Sequence, residues 1–167
     1  MRSSDERKDS AGPRPPRPPR VLAISSGGGH WVQLLRLRPA LAGCAVTFVT
    51  VKAAYRSDVG DARFRVINDA TRWNKLGLVR MAAKIAWILV RTRPDVIITT
   101  GAAPGFFAIR MGKFLGARTV WLDSVANVER LSLSGRRIGR RADLWLTQWA
   151  HLAREDAGGP AYRGAVL

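Results

Sequence analysis

A short buried strand running straight into a glycine turn, Val21-Leu22-Ala23-Ile24-Ser25-Ser26-Gly27-Gly28-Gly29-His30, constrains this chain more than any other feature. Glycines at such a junction let the backbone approach a ligand closely. The free N–H groups that open the following helix supply donors and a partial positive charge, so the turn suits an anion. From there the chain is expected to run on to Leu167 as one α/β unit without a second domain. A site with one wall is expected to receive its other wall from another chain.

After the first strand (21–25), apolar residues at helical spacing mark a helix over 31–41, closed by Gly43. A β-branched run gives a strand over 45–51, and a weaker one is expected within 62–68. The longest helix is expected over 74–92, stopped by Arg93-Pro94. A strand over 96–100 then turns through Gly101-Ala102-Ala103-Pro104-Gly105 into a helix reaching 115, and strands follow over 119–123 and 144–147. Strands separated by helices, with continuous apolar strand cores, predict an α/β fold: a Rossmann-like parallel sheet with helices on both faces. The domain divides as a disordered Pro/Arg-rich leader (1–20), the Rossmann-like body (21–150) and a C-terminal segment (151–167).

The chain has 167 residues and a formal charge of +16. The first twenty residues carry six basic and three acidic side chains, which leaves +13 on the body. Such a field favours polyanions: nucleic acid, an anionic membrane face or phosphorylated substrates. No RNA-binding aromatic signature, zinc-ligand set or helix-turn-helix accompanies the charge, which argues against nucleic acid as a partner. Two histidines and the single Cys44 argue against a metal site, and no tightly bound cofactor is expected. The longest apolar run is only residues 85–90, far short of the roughly 20 needed to span a bilayer. No signal-peptide core opens the chain, so a cytoplasmic protein, peripheral on the inner face of the membrane, is expected.

Three turns fall at the carboxyl ends of strands, where ligands of such sheets gather. The first offers Ser26, Gly27, Gly28, Gly29 and His30; the imidazole can act as general base on a hydroxyl or donate to a diphosphate oxygen. The dinucleotide fingerprint fits poorly, because Val32 stands where its third glycine belongs and the second strand ends in Val51-Lys52 without an acid. The second turn offers Gly101, Pro104 and Gly105. The third, residues 123–135, offers Asp123, Ser124, Glu129 and Arg130, whose guanidinium can clamp a phosphate. Each turn also has a purely structural reading, as a space-saving turn or a salt-bridged loop.

On the long helix, Arg80, Lys84, Trp87 and Arg91 share one stripe at 100° per residue, and an early start adds Trp73. Met81, Ala82, Ile85, Ala86, Ile88 and Leu89 take the opposite arc. Residues 72–118 hold nine basic side chains against one acid, Asp95. Tryptophan flanked by cations suits a lipid headgroup interface; a solvated basic face is the other reading.

Taken together, Ser25-Ser26-Gly27-Gly28-Gly29-His30, the stretch from Asp123 to Gly135 and Ala142-Asp143-Leu144-Trp145-Leu146-Thr147-Gln148-Trp149 resemble one family. It comprises the membrane-associated subunits of split UDP-sugar glycosyltransferases: the anchoring partner in dolichol-linked oligosaccharide assembly and bacterial relatives in capsule and exopolysaccharide synthesis. The chain is also similar to the amino-terminal domain of the transferase that adds N-acetylglucosamine to the peptidoglycan lipid precursor. The resemblance implies the N-terminal half of a GT-B glycosyltransferase that binds a polyprenyl-diphosphate-linked sugar acceptor and recruits a separate UDP-sugar-binding subunit. It implies acceptor-site roles for Gly27, Gly28, Gly29 and His30, matches Asp123, Ser124, Glu129 and Arg130 to a second motif, and implies a partner contact through Trp149 and Tyr162. Eukaryotic members open with a membrane-spanning helix where this chain has prolines and Arg20, so the basic amphipathic helix is the expected substitute. A non-catalytic membrane scaffold and a self-contained small-molecule enzyme are the competing readings.

Overall fold

Seven strands, all parallel, form one sheet in the order β3-β2-β1-β4-β5-β6-β7. They are β1 (Arg20–Ile24), β2 (Ala45–Thr50), β3 (Arg63–Val66), β4 (Val96–Thr99), β5 (Arg118–Leu122), β6 (Leu144–Thr147) and β7 (Ala161–Tyr162). A computed structural model describes residues 17–71 and 73–166. The leader expected over 1–20 lies outside the described residues up to position 16. Of its remainder, Arg17 donates to both oxygens of Asp95 at 2.7 Å, and Arg20 opens β1.

Four α-helices connect the strands: α1 (Gly29–Arg36), α2 (Lys75–Thr92), α3 (Ala102–Phe114) and α4 (Leu133–Ile138). The helix expected over 31–41 is cut short. α1 stops at Arg36 and a 3-10 turn covers Arg38–Leu41, because Pro39 has no N–H to give the helical ladder. α4 and a 3-10 turn over Ala53–Val59 are additional to the expected elements. β7, within the C-terminal segment expected over 151–167, pairs with β6 and extends the sheet past residue 150.

Side chains alternate across each strand and sort the core into two layers. Leu22, Ile24, Val49, Ile97 and Trp121 pack against Met81, Ile85 and Leu89 of α2 and Ala108 and Ile109 of α3. Val21, Ala23 and Phe48 face the other way, onto Trp31 and Leu34 of α1. Trp31 stacks on Tyr55 at 5.2 Å between ring centres and donates from Nε1 to Asp58 at 2.8 Å. The expected division of α2 holds: Met81, Ile85, Ile88 and Leu89 are buried, while Arg80, Lys84, Trp87 and Arg91 stand outside.

The chain lays down β1, β2 and β3 in one direction, then crosses back through α2 to place β4 on the other side of β1. Neighbouring connections therefore leave β1 and β4 on opposite faces. The carboxyl ends of these two strands form the crevice where a ligand of such a sheet is received.

Candidate functional site

The glycine turn leaves β1 at Ile24 and enters α1 through Gly28, whose φ of 64° lies in the region that side chains resist. No atom would lie within 4 Å of a Cβ placed there, so this glycine meets a conformational need and leaves open space in front of it. Its carbonyl accepts from Trp31 N–H at 3.0 Å and Val32 N–H at 3.2 Å. The amides of Gly29 and His30, in the first turn, have no acceptor within the helix, and no side chain caps this end. Gly28 N–H donates to Tyr55 Oη at 3.0 Å, and Lys52 packs beside Gly27 with its ammonium 5.8 Å from the Tyr55 ring.

His30 ties this turn to the second one. Its Nδ1 lies 2.8 Å from the Thr100 carbonyl oxygen, and Thr100 Oγ1 donates to the His30 carbonyl at 2.6 Å. A carbonyl only accepts, so Nδ1 carries the proton; in the neutral ring the lone pair is then on Nε2. Gly101, at φ 119°, makes room: a Cβ there would stand 3.2 Å from His30 Cε1. The next residue, Ala102, holds φ 62° without being glycine, a strained conformation at the mouth of α3. Gly105 has a different role. It is buried with the Thr99 side chain where its Cβ would be, so it permits close packing of α3 on β4, and Pro104 is buried beside it.

The third turn is organised from within. Asp123 is 2% exposed, and its carboxylate accepts from Ser124 N–H (2.9 Å), Asn127 Nδ2 (2.7 Å), Ser132 N–H (3.1 Å) and Ser132 Oγ (3.2 Å). These four donors fold the loop back on the strand that launches it. Ser124 Oγ, also buried, accepts from Gln33 Nε2 at 3.2 Å and Ala126 N–H at 3.3 Å. Glu129 and Arg130 stand exposed on the same loop, and no ion pair joins either to a described residue.

Gln33 is a bridging position that sequence reasoning missed. Three residues after His30 on α1, it is 4% exposed and links two of the turns to the C-terminal region. Its Oε1 accepts from Gln148 Nε2 at 2.6 Å and from Val125 N–H at 3.1 Å. Gln148 in turn donates to the Asp123 carbonyl at 2.9 Å and accepts from Val166 N–H at 2.8 Å. The one local signal was a polar residue sharing the helical face of His30. Of the two expected partner contacts, Trp149 is half-buried and donates from Nε1 to the Val125 carbonyl at 2.8 Å, while Tyr162 is exposed on β7.

The expected membrane stripe is wider than its cations. Trp73 (81% exposed), Leu76, Val79, Trp87 and Val90 form an exposed apolar band along α2, beside Arg80, Lys84 and Arg91. The lone acid of this region, Asp95, is held by Arg17 and Arg20 and does not neutralise the stripe. No helix among the described residues is long and apolar enough to cross a membrane.

A parallel sheet whose strand order reverses between β1 and β4, with both rim turns opening helices, is a Rossmann-like fold that matches the N-terminal half of GT-B glycosyltransferases such as MurG. The fold is similar to Acinetobacter baumannii MurG, with a TM-score of 0.69 and 12% identity over 87% of this chain and 45% of that one. It is also similar to the UDP-GlcNAc 2-epimerase of Methanocaldococcus jannaschii, at TM-score 0.57 and 11% identity over 77% and 39%. The chain thus spans less than half the length of these solved structures. Residues 62–165 match the family of Alg14-like oligosaccharide biosynthesis proteins, and the chain belongs to that family. Among its relatives are the ALG14 subunits of UDP-N-acetylglucosamine transferase from Yarrowia lipolytica and Eremothecium gossypii. The first is 24% identical, over 82% of this chain and 76% of the relative. The second is 28% identical, over 88% and 79%.

Proposed function

We propose that this protein is the acceptor-binding subunit of a two-chain UDP-sugar glycosyltransferase acting in lipid-linked oligosaccharide, capsule or exopolysaccharide synthesis. It binds a polyprenyl-diphosphate-linked sugar and recruits the subunit that holds the UDP-sugar to the membrane. The acceptor diphosphate lies against the glycine turn, where the free amides of Gly29 and His30 and the positive end of α1 favour negative charge. Gly101 and the loop from Ser124 to Arg130 border the same crevice.

In the transfer step an acceptor hydroxyl attacks the anomeric carbon of the donor sugar, the bond to UDP breaks, and the hydroxyl proton leaves. His30 supports this role because its Nδ1 is engaged by the Thr100 carbonyl, which aims the free lone pair of Nε2 outward. Donation from Nε2 to a diphosphate oxygen would instead require a proton on both ring nitrogens. Docking follows from α2, whose apolar band enters the headgroup layer while the neighbouring cations meet anionic lipid.

The His30–Thr100 pairing at the mouth of an anion-accepting turn, in a member of this family, carries the proposal. Its test is reconstitution with a UDP-sugar-binding partner chain, anionic vesicles and a polyprenyl-diphosphate sugar. His30→Ala should abolish transfer and leave the two chains associated. Undiminished transfer would remove the catalytic role and favour a scaffold, and turnover by the isolated chain would refute the two-chain enzyme.

A further inference from the structure

On the face of β3 turned towards α2, Arg63 and Arg65 project on the same side of the strand, two residues apart. Arg91 reaches the same place from the last turn of α2, and the three guanidinium-bearing side chains line one cavity of about 380 Å³. Thr47, Trp87, Ile88 and Thr92 complete its wall. No carboxylate lines it. Asp61, two residues before Arg63, lines a neighbouring cavity that Arg63 also borders, and forms no ion pair with a described residue.

Three cations facing one cavity repel each other, and none of the three arginines has a hydrogen-bonding or acidic partner among the described residues. Arg91 rests over the Trp87 ring at 5.4 Å and lines the cavity. Thr47 is only 5% exposed, yet no hydrogen bond among the described residues engages its hydroxyl. The hydroxyl is not sealed from solvent, so it can donate to whatever occupies the cavity. Planar guanidinium groups with a hydroxyl match the acceptor oxygens of a phosphate group better than those of a single carboxylate.

The geometry points to a built phosphate site at Arg63, Arg65, Arg91 and Thr47 that holds the headgroup phosphate of an anionic phospholipid. The lipid source rests on the docking of α2 proposed above. Trp87 and Arg91 belong both to that exposed face and to the cavity wall, so a bilayer meeting α2 would bring headgroups to the cavity mouth. The site lies beneath the carboxyl rim on the edge of the sheet, apart from the glycine turn and His30. It gives docking a specific element that a diffuse field of positive charge lacks: one ordered lipid beside β3.

The test uses the full chain and two probes. Dihexanoyl-phosphatidylglycerol below its micelle concentration reports the site, and mixed phosphatidylcholine–phosphatidylglycerol vesicles report docking. Binding of the monomeric lipid, followed through arginine side-chain NMR signals, should saturate. It should weaken about tenfold or more in Arg63→Gln/Arg65→Gln, weaken in Thr47→Val, and be unchanged in Arg80→Gln/Lys84→Gln. Circular dichroism confirms that each variant is folded, and the two arginine substitutions made singly guard against a combined loss of structure. If the double variant binds the monomeric lipid as the natural chain does while vesicles still retain the protein, the site is wrong and the docking of α2 stands. Displacement by inorganic phosphate at equal concentration would overturn the lipid assignment in favour of a soluble phosphate. If the natural chain binds neither probe, site and docking fall together.

Discussion

His30 and Thr100 hold each other by two hydrogen bonds, Nδ1 to the Thr100 carbonyl at 2.8 Å and Thr100 Oγ1 to the His30 carbonyl at 2.6 Å. Seventy residues of chain separate them, and the pair locks the start of α1 to the end of β4. The ring is kept in place partly by what is missing opposite it, a side chain at position 101. Gly101→Ala would put a methyl group 3.2 Å from His30 Cε1 on a backbone at φ 119°. The expected result is a loss of about 1–3 kcal/mol in stability from strain and a fall in transfer approaching that of His30→Ala. Chemical denaturation and reconstituted transfer measure the two. Full activity in Gly101→Ala would show that the ring position is not required.

Gly28 offers a contrast. Its Cβ would touch nothing within 4 Å, so Gly28→Ala costs only backbone strain, about 1–3 kcal/mol for a side chain at φ 64° and ψ -138°. The added methyl group projects into the space assigned to the acceptor. The variant should therefore fold and raise KM for the acceptor with a smaller effect on kcat. An unchanged KM would place the acceptor elsewhere on the rim.

The central strands were legible because their apolar, β-branched runs are long enough to stand out locally. β7 was not, because two residues, Ala161 and Tyr162, carry no period. α1 ends before Pro39 although the apolar spacing of the leucines runs on past it. At the site, the glycine turn and His30 are local motifs and were visible. Tyr55, Gln33 and Gln148 enter through contacts spanning 27, 91 and 115 residues, which no local pattern encodes. Asp123 was visible as a rim residue, but its role depends on donors from Asn127 and Ser132 that only the folded loop assembles. Arg63 and Arg65 alternate along β3, yet their meeting with Arg91 is set by how α2 crosses the sheet.

The saturation of Asp123 makes it a positioning residue. Asp123→Ala removes the acceptor for four donors, two of them on Ser132, the residue that caps α4 by accepting from Gly135 N–H at 2.9 Å. The expected cost is about 2–4 kcal/mol in unfolding free energy, together with faster trypsin cleavage at Arg130. If stability falls by less than about 0.5 kcal/mol and Arg130 remains protected, the loop is held by other contacts.

Asp143 should make stability depend on pH. Its carboxylate accepts from Lys113 Nζ at 2.6 Å and from Thr119 N–H and Oγ1 at 2.8 and 2.9 Å, and these partners hold its pKa below the ordinary value, the lysine contributing most. A depressed carboxylate stabilises the fold above its unfolded pKa, near 4, and loses that contribution as pH falls through the folded value. The carboxylate is partly exposed, so Asp143→Asn should cost only about 1 kcal/mol at pH 7. That difference should shrink as the pH is lowered below about 4. Denaturant titrations of both proteins across this range measure it; a difference independent of pH would mean that Asp143 contributes through shape alone.

The outer face of α2 combines two kinds of attraction that salt separates. Arg80 and Lys84 act through charge, which is screened over about 8 Å at physiological ionic strength. Leu76 and Val79, both exposed, act by leaving water, which salt does not weaken. With each cation near an anionic leaflet contributing about 1 kcal/mol, Arg80→Glu/Lys84→Glu reverses two contributions and should lower vesicle partitioning by upwards of about a hundredfold at low salt. Leu76→Ser/Val79→Ser should weaken partitioning at every salt concentration. Sedimentation with anionic vesicles across a salt series distinguishes them: the charge variant should converge on the natural protein as salt rises, and the serine variant should not. Equal retention of all three proteins at low salt would show that this helix does not face the membrane.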